Sequence, residues 1–190
     1  MSSKKEVLRD AVLNYLFAHG ISNFSLRPLA TAIGTSPRML MFYFKSKDGL
    51  IREVLAELHR RLQQSFSRIA HDQPNPRRER PLKLFWRWAT NDENIASLRL
   101  LYEIQIVSAS NPVAFGRYFA EFSETWEKMV RKAMQGARSR ELITLTIAVF
   151  DGLMLEMIMT GDLRRLDKAL NLFISLASQP STRCARAVTN

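Results

Sequence analysis

At 190 residues, 46% hydrophobic and 24% charged, the chain lies near the globular average, which excludes a disordered or fibrous protein and leaves one domain or a small one joined to a larger one. Its formal net charge of +10 implies a polyanionic partner, nucleic acid or an anionic membrane, because Lys and Arg gain free energy by releasing counterions from phosphates. Cys184 is the only cysteine and His19, His59 and His71 are widely spaced, which excludes an internal disulfide and gives no metal motif, so neither metal nor cofactor is expected.

The start, Met1 to Asp10, is charged and unlike a signal peptide. No apolar run approaches the roughly 20 residues that span a bilayer, so the expectation is a cytoplasmic protein with no membrane partner. Leu8, Ala11, Val12, Tyr15 and Leu16 share one face of a first amphipathic helix that ends at His19-Gly20. Ser25 is an N-cap for a second helix carrying Leu26, Leu29, Ala30 and Ile33, with Pro28 tolerable in its first turn and Gly34 as its stop. Ser36 caps a third, with Pro37 at the first helical position and Arg38 to Tyr43 following. Two short helices flanking a glycine turn are a helix-turn-helix signature.

Ser46 caps a long helix with Leu50, Val54, Leu58 and Leu62 on one stripe and Leu55, Phe66 and Ile69 beside it, stopping near His71. Pro74, Pro76 and Pro81 around the basic run Arg77 to Arg80 read as a linker. Helical spacing resumes, with breaks at Asn91 to Asn94 and at Asn111-Pro112; Phe115, Phe119, Phe122, Trp126, Met129, Val130 and Ala133 then keep a 3.6-residue period to about Gly136. Leu142 to Met157 and Leu166 to Ala177 predict two final helices joined at Thr160-Gly161-Asp162, an antiparallel hairpin. Residues 179–190, Ser, Thr, Pro and Arg with little apolar content, read as a disordered tail. The fold expected is all-α: a helix-turn-helix head at 1–47 and a larger helical body at 48–178.

Phe24 to Leu50, FSLRPLATAIGTSPRMLMFYFKSKDGL, resembles the N-terminal domain of the TetR (tetracycline repressor) family, through Arg27, Leu29 and Ala30, the turn Gly34, the cap Ser36, the run Leu40 to Phe44, then Ser46-Lys47 and Leu50. The rest agrees with that family only in layout. The resemblance implies a homodimeric transcription regulator that binds a double-stranded DNA operator and releases it when a small apolar effector enters the body. Arg38, early in the recognition helix, is the candidate base contact, since its fork can bond both acceptors of a guanine edge; a phosphate contact is the alternative. Arg27, Ser36, Tyr43 and Lys47 are candidates for phosphate contacts, and Pro37, Met39 and Phe42 complete the DNA-facing set. The family has a small residue where Arg38 stands and a phosphate-contacting tyrosine where Met41 stands. The first difference implies an unusual operator; for the second, Tyr43 takes over the contact or Met41 packs on a thymine methyl.

In the body, Trp86, Tyr102, Phe119, Phe122, Trp126 and Met154 are the candidate lining for a neutral or anionic apolar effector, with Glu103 either orienting it or standing as a surface acid. The wider aromatic and Met set, to which Phe85, Trp88 and Met157 also belong, has two readings, core or pocket, and most of it must be core. Leu153, Met157, Leu170 and Phe173 are the expected dimer contacts. An enzyme is not expected: there is no Gly-rich phosphate loop, serine elbow or Cys/His pair, and Asp151 and Glu156 lie too far round a helix to act together. A DNA-binding architectural protein with no effector explains the charge equally well, but not a large aromatic-rich second domain.

Overall fold

The computed structural model describes residues 3–22, 24–71, 81–134 and 139–177. These form α1 (Lys4–His19), α2 (Leu26–Ala32), α3 (Pro37–Phe44), α4 (Lys47–His71), α5 (Pro81–Ala89), α6 (Asp92–Ala109), α7 (Pro112–Ala133), α8 (Arg140–Thr160) and α9 (Leu163–Ala177), with no strand among the described residues. The expected fold class is therefore the observed one. The basic run after Pro76 and the tail at 179–190 lie outside the described residues. By contacts the chain divides within α7 into two compact units, residues 1–129 and 130–190.

In the first unit, α1 opens with a capping box: the Ser3 hydroxyl accepts from Glu6 N–H, and the Glu6 carboxylate accepts from Ser3 N–H at 2.7 Å. Leu8, Val12, Leu13 and Leu16 are its buried stripe, packed toward α4 and α6. Ser25 stands at the N-cap position of α2 but makes no side-chain cap bond, so this expected cap is geometrical only. Between α2 and α3, Gly34 N–H donates to Thr31 O and Thr35 N–H to Ala30 O at 2.9 Å, the paired bonds of a Schellman turn. That turn puts Gly34 at φ +67°, where a Cβ would be strained.

A second tight junction follows α3. Lys45 has φ +67° and ψ −37°, and Ser46 N–H donates to Phe44 O at 2.8 Å, a γ-turn centred on a residue with a side chain. Ser46 then caps α4, accepting from Gly49 N–H at 2.8 Å. The turn throws the Phe44 carbonyl against Gly49, where a Cβ would lie 2.1 Å from that oxygen. Only glycine fits.

α4 is the spine of this unit, burying Leu50, Ile51, Val54, Leu55, Leu58 and Leu62 against α1, α3, α5 and α6. Between α5 and α6, Asn91 rather than the whole Asn91 to Asn94 stretch makes the break. It caps α6, and Asn94 is buried in its first turn, donating to Trp88 O at 2.9 Å.

In the second unit, α8 and α9 pack on each other, with Leu166, Leu170 and Ile174 as the buried stripe of α9. α8 corrects one expectation: it contains an 18-residue stretch of mean hydropathy 1.9, long and apolar enough by composition to cross a membrane. Asp151 and Glu156 interrupt the run yet leave its average at 1.9, which is why no unbroken apolar stretch is visible in the sequence.

Candidate functional site

The helix expected to face DNA is α3. Ser36 caps it by accepting from Met39 N–H at 3.2 Å, and Leu40 and Phe44 anchor it in the core. Those anchors turn the opposite face outward, where Arg38, Met41 and Phe42 are exposed and Phe42 keeps 63% of its surface. An exposed phenylalanine on a short helix is the apolar shape that fits a thymine methyl. Pro37, Met39 and Tyr43 are half-buried, and Tyr43 meets the Phe42 ring edge-on at 5.1 Å. Arg27 and Ser36 are exposed on α2 and at the α3 start.

Two lysines frame this face. Lys45, which the sequence reading passed over, donates to Phe42 O at 3.0 Å and lies over the Phe42 ring at 5.4 Å. Lys47 is exposed, yet its Nζ donates to Phe24 O at 3.0 Å and sits 5.1 Å over the Phe24 ring. In this conformation Lys47 fastens the start of α4 to the turn before α2, a structural contact made by the side chain from which a phosphate contact is expected. Lys47→Ala is expected to lower the melting temperature as well as to weaken binding to all duplexes alike; a thermal melt beside a salt titration on operator and random duplex separates the two effects.

α4 carries the head into the body through a knot of charges. Glu57, 3% exposed, accepts from Arg60 Nε at 2.8 Å and Nη2 at 2.6 Å and from Arg61 Nε at 2.7 Å, with Arg9 Nη2 of α1 at 3.3 Å. Asp10 of α1 pairs with Arg61 at 2.8 Å. Further up, Arg52 donates to Ala114 O at 2.7 Å and Asp48 accepts from Asn111 at 3.2 Å, tying the first turns of α4 to the α6–α7 turn. The Arg60 hydrogen bonds, helped by Arg61 and Arg9, hold the Glu57 carboxyl down at about 2. A depressed carboxyl stabilises the fold above its unfolded pKa and loses that contribution as pH falls from 4.5 toward 2. Allowing for solvent around the arginines, Glu57→Gln is expected to remove about 1–2 kcal/mol at pH 7. Melts at pH 6 and pH 3 should show the variant losing less stability on acidification than the parent.

Behind this knot is an apolar cleft in the first unit. α4 contributes His59, Leu62, Gln63 and Phe66, α5 Phe85 and Trp88, α6 Leu98, and α7 Phe122, Thr125, Trp126 and Met129. Counting its open mouth the cleft is about 380 Å³, of which about 20 Å³ is room for water-sized molecules, enough for about one water. Its rings interlock: Phe85 lies 5.3 Å from each of Phe66, Trp88 and Trp126, and Phe122 lies 5.9 Å from Trp126. Trp88 Nε1 donates to Ser65 Oγ at 3.1 Å, so its indole is pinned with its N–H satisfied. Among the described residues no charged side chain lines the cleft.

Of the expected lining residues, the structure brings together Phe122 and Trp126. Trp86 is buried on α5 away from the lining, Tyr102 and Phe119 are half-buried on α6 and α7, and Met154 is buried on α8. Glu103 lies beside the C-terminus of α1, its Oε2 3.4 Å from where a Cβ on Gly20 would stand. Missed were His59, Phe66, Phe85 and Trp88 as lining; the aromatic content of Phe85 and Trp88 was visible, their facing was not. Among the expected dimer contacts, Leu153, Met157 and Phe173 are half-buried, whereas Leu170, 2% exposed, is spent in the core of its own chain. The apolar surface that remains is a different stripe, Leu145, Leu155 and Met159 on α8 and Leu172 and Leu176 on α9.

Residues 8–54 match the family described as bacterial regulatory proteins, tetR family. No protein of curated function matches the sequence. Among solved structures, a transcriptional regulator from Rhodococcus sp. RHA1 superposes with a TM-score of 0.73 at 18% identity, covering 92% of this chain and 96% of that one. A regulator from Pseudomonas aeruginosa PAO1 gives 0.72 at 18%, covering 92% and 90%. The multidrug binding protein EbrR complexed with imidazole gives 0.70 at 20%, covering 94% and 92%. At such identity these likenesses show a shared fold. This chain thus carries an N-terminal segment, residues 8–54, that matches the tetR family of bacterial regulatory proteins, on a fold shared with solved transcriptional regulators.

Proposed function

We propose that this protein is a cytoplasmic homodimeric repressor, released from its operator when a small, flat, apolar molecule enters the cleft. Residues 1–47 grip the DNA, and 48–178 bind the effector and pair the chains. The observation that carries this reading is the position of the cleft. His59, Leu62, Gln63 and Phe66 stand on α4, the helix whose first turn is fastened to the head, so opening the cleft moves the element that orients α3. EbrR has been crystallised with ethidium and with proflavin, and their flat rings suit walls made of Phe and Trp. The expected result is operator binding that weakens by about 5- to 150-fold at saturating ligand, read by fluorescence anisotropy. A molecule that quenches the cleft tryptophans but leaves operator affinity unchanged would overturn the release mechanism.

The small free volume favours a second reading, a DNA-binding architectural or regulatory protein with no effector. A broad panel of aromatic compounds that produces no quenching supports that alternative.

Pairing rests on the exposed stripe. Leu145, Ala148, Gly152, Leu155 and Met159 recur at intervals of three and four on α8, and Ala169, Leu172 and Leu176 continue the pattern on α9, all exposed. That is the spacing of a helix seam seeking a partner, and it accounts for an apolar α8 without a membrane. The double variant Leu155→Glu, Leu172→Glu is expected to raise the dimer dissociation constant by at least about a hundredfold, through burial of unpaired charge. Sedimentation velocity at micromolar concentration decides it; an unchanged dimer would move the interface elsewhere.

A further inference from the structure

The cleft is apolar except at one buried point. His59 stands on its wall, 8% exposed, its ring stacked on Phe122 with centroids 3.9 Å apart. Nδ1 shares a hydrogen bond with the Tyr118 hydroxyl, whereas Nε2 is buried and has no partner. The other polar side chains of the lining are different. Gln63 and Thr125 are exposed, and Thr125 already donates to Glu121 O at 2.9 Å.

A buried polar atom left unsatisfied carries the full penalty of its lost hydration, which a ligand group placed against it removes. Burial pulls the His59 imidazole down to about 3, so the ring is neutral at physiological pH. A neutral imidazole presents either a lone pair or an N–H at Nε2, and here the choice is coupled to Tyr118. When the hydroxyl donates to Nδ1, Nε2 carries the proton and donates; when the hydroxyl accepts from Nδ1–H, Nε2 accepts. Reversing the pair takes a hydroxyl rotation and a change of tautomer, with no change of charge.

We propose that His59 Nε2 is the polar anchor of the effector cleft, and that with Tyr118 behind it the anchor takes flat aromatic molecules presenting either one hydrogen-bond acceptor or one donor. This rests on the cleft being the effector site. The aromatic walls would supply affinity for any flat ring, and Nε2 would select among them by a single edge group.

Three bicyclic probes of nearly equal size test it on the full-length protein by calorimetry: quinoline, an acceptor; 2-naphthol, a donor; and naphthalene, neither. Quinoline and 2-naphthol are expected to bind about five- to tenfold more tightly than naphthalene. His59→Phe, which keeps a ring against Phe122, is expected to bind all three alike. In parallel, the imidazole ¹⁵N shifts of His59 in the parent protein should report the proton on Nε2 with quinoline and on Nδ1 with 2-naphthol, a readout that needs no variant to fold. If none of the probes binds, the cleft is not a ligand site and the proposed function fails with it. Equal binding of all three to the parent leaves the cleft standing and overturns the anchor. A single tautomer in both complexes overturns the two-way selection.

Discussion

Replacing Arg38 with alanine is expected to weaken binding to the operator by about 5- to 150-fold for each half-site, and to relax the preference at one base pair. The operator itself comes from selection out of random duplexes. Non-specific binding should hardly change, because Arg38 is one of several exposed cations around α3 and the others, Arg27, Lys45 and Lys47, still face solvent. The geometry behind this expectation is specific to the second residue of α3. Pro37 starts the helix, Ser36 caps it, and Leu40 and Phe44 hold its inner face, so Arg38 is exposed at the N-terminal end of the helix, the end that a helix-turn-helix would turn toward base edges. Phe42 lies one turn further along that face, where it can read a thymine methyl but has no donor for a guanine. Equal loss on operator and random duplex would make Arg38 a phosphate clamp and leave sequence choice to Met41, Phe42 and DNA shape.

The second large effect belongs to a buried glycine. Gly49→Ala places a methyl 2.1 Å from the Phe44 carbonyl oxygen, a backbone atom already committed to the turn at Lys45. Nothing flexible can yield, so α3 and α4 must part, at a cost of about 3 kcal/mol. The expected outcome is a melting temperature lower by several degrees and loss of operator binding. Gly116→Ala, where an added Cβ meets nothing within 4 Å, serves as the control and should be close to neutral. An unperturbed Gly49→Ala protein would mean that the junction relaxes without strain.

The head was legible in the sequence because its chemistry is local. Gly34, Ser36 and Pro37 each act on the peptide groups within a few residues of themselves, so their meaning needs no tertiary structure. The γ-turn at Lys45 was not legible, since lysine gives no sign of a positive φ. The cleft was half legible: Phe122 and Trp126 follow from the period of α7, but α5 carries two buried tryptophans two residues apart, and only the packing of α4 and α6 around it decides that Trp88 lines the space and Trp86 does not. The same limit applies to α9. Its apolar residues form two faces, and nothing in the order Leu170, Leu172, Phe173, Ile174 says which one the chain keeps for itself.

One consequence of α4 concerns the path by which an effector would act. Glu57 and His59 are two residues apart, which on a helix means about 200° of rotation and about 3 Å of rise. The charge knot gripping α1 and the imidazole in the cleft therefore stand back to back at one height of one rod. A push on the imidazole would reach the grip on α1 through the width of the rod, besides the path along α4 to α3, and the exposed far end at Ser67 and Arg68 lies off both.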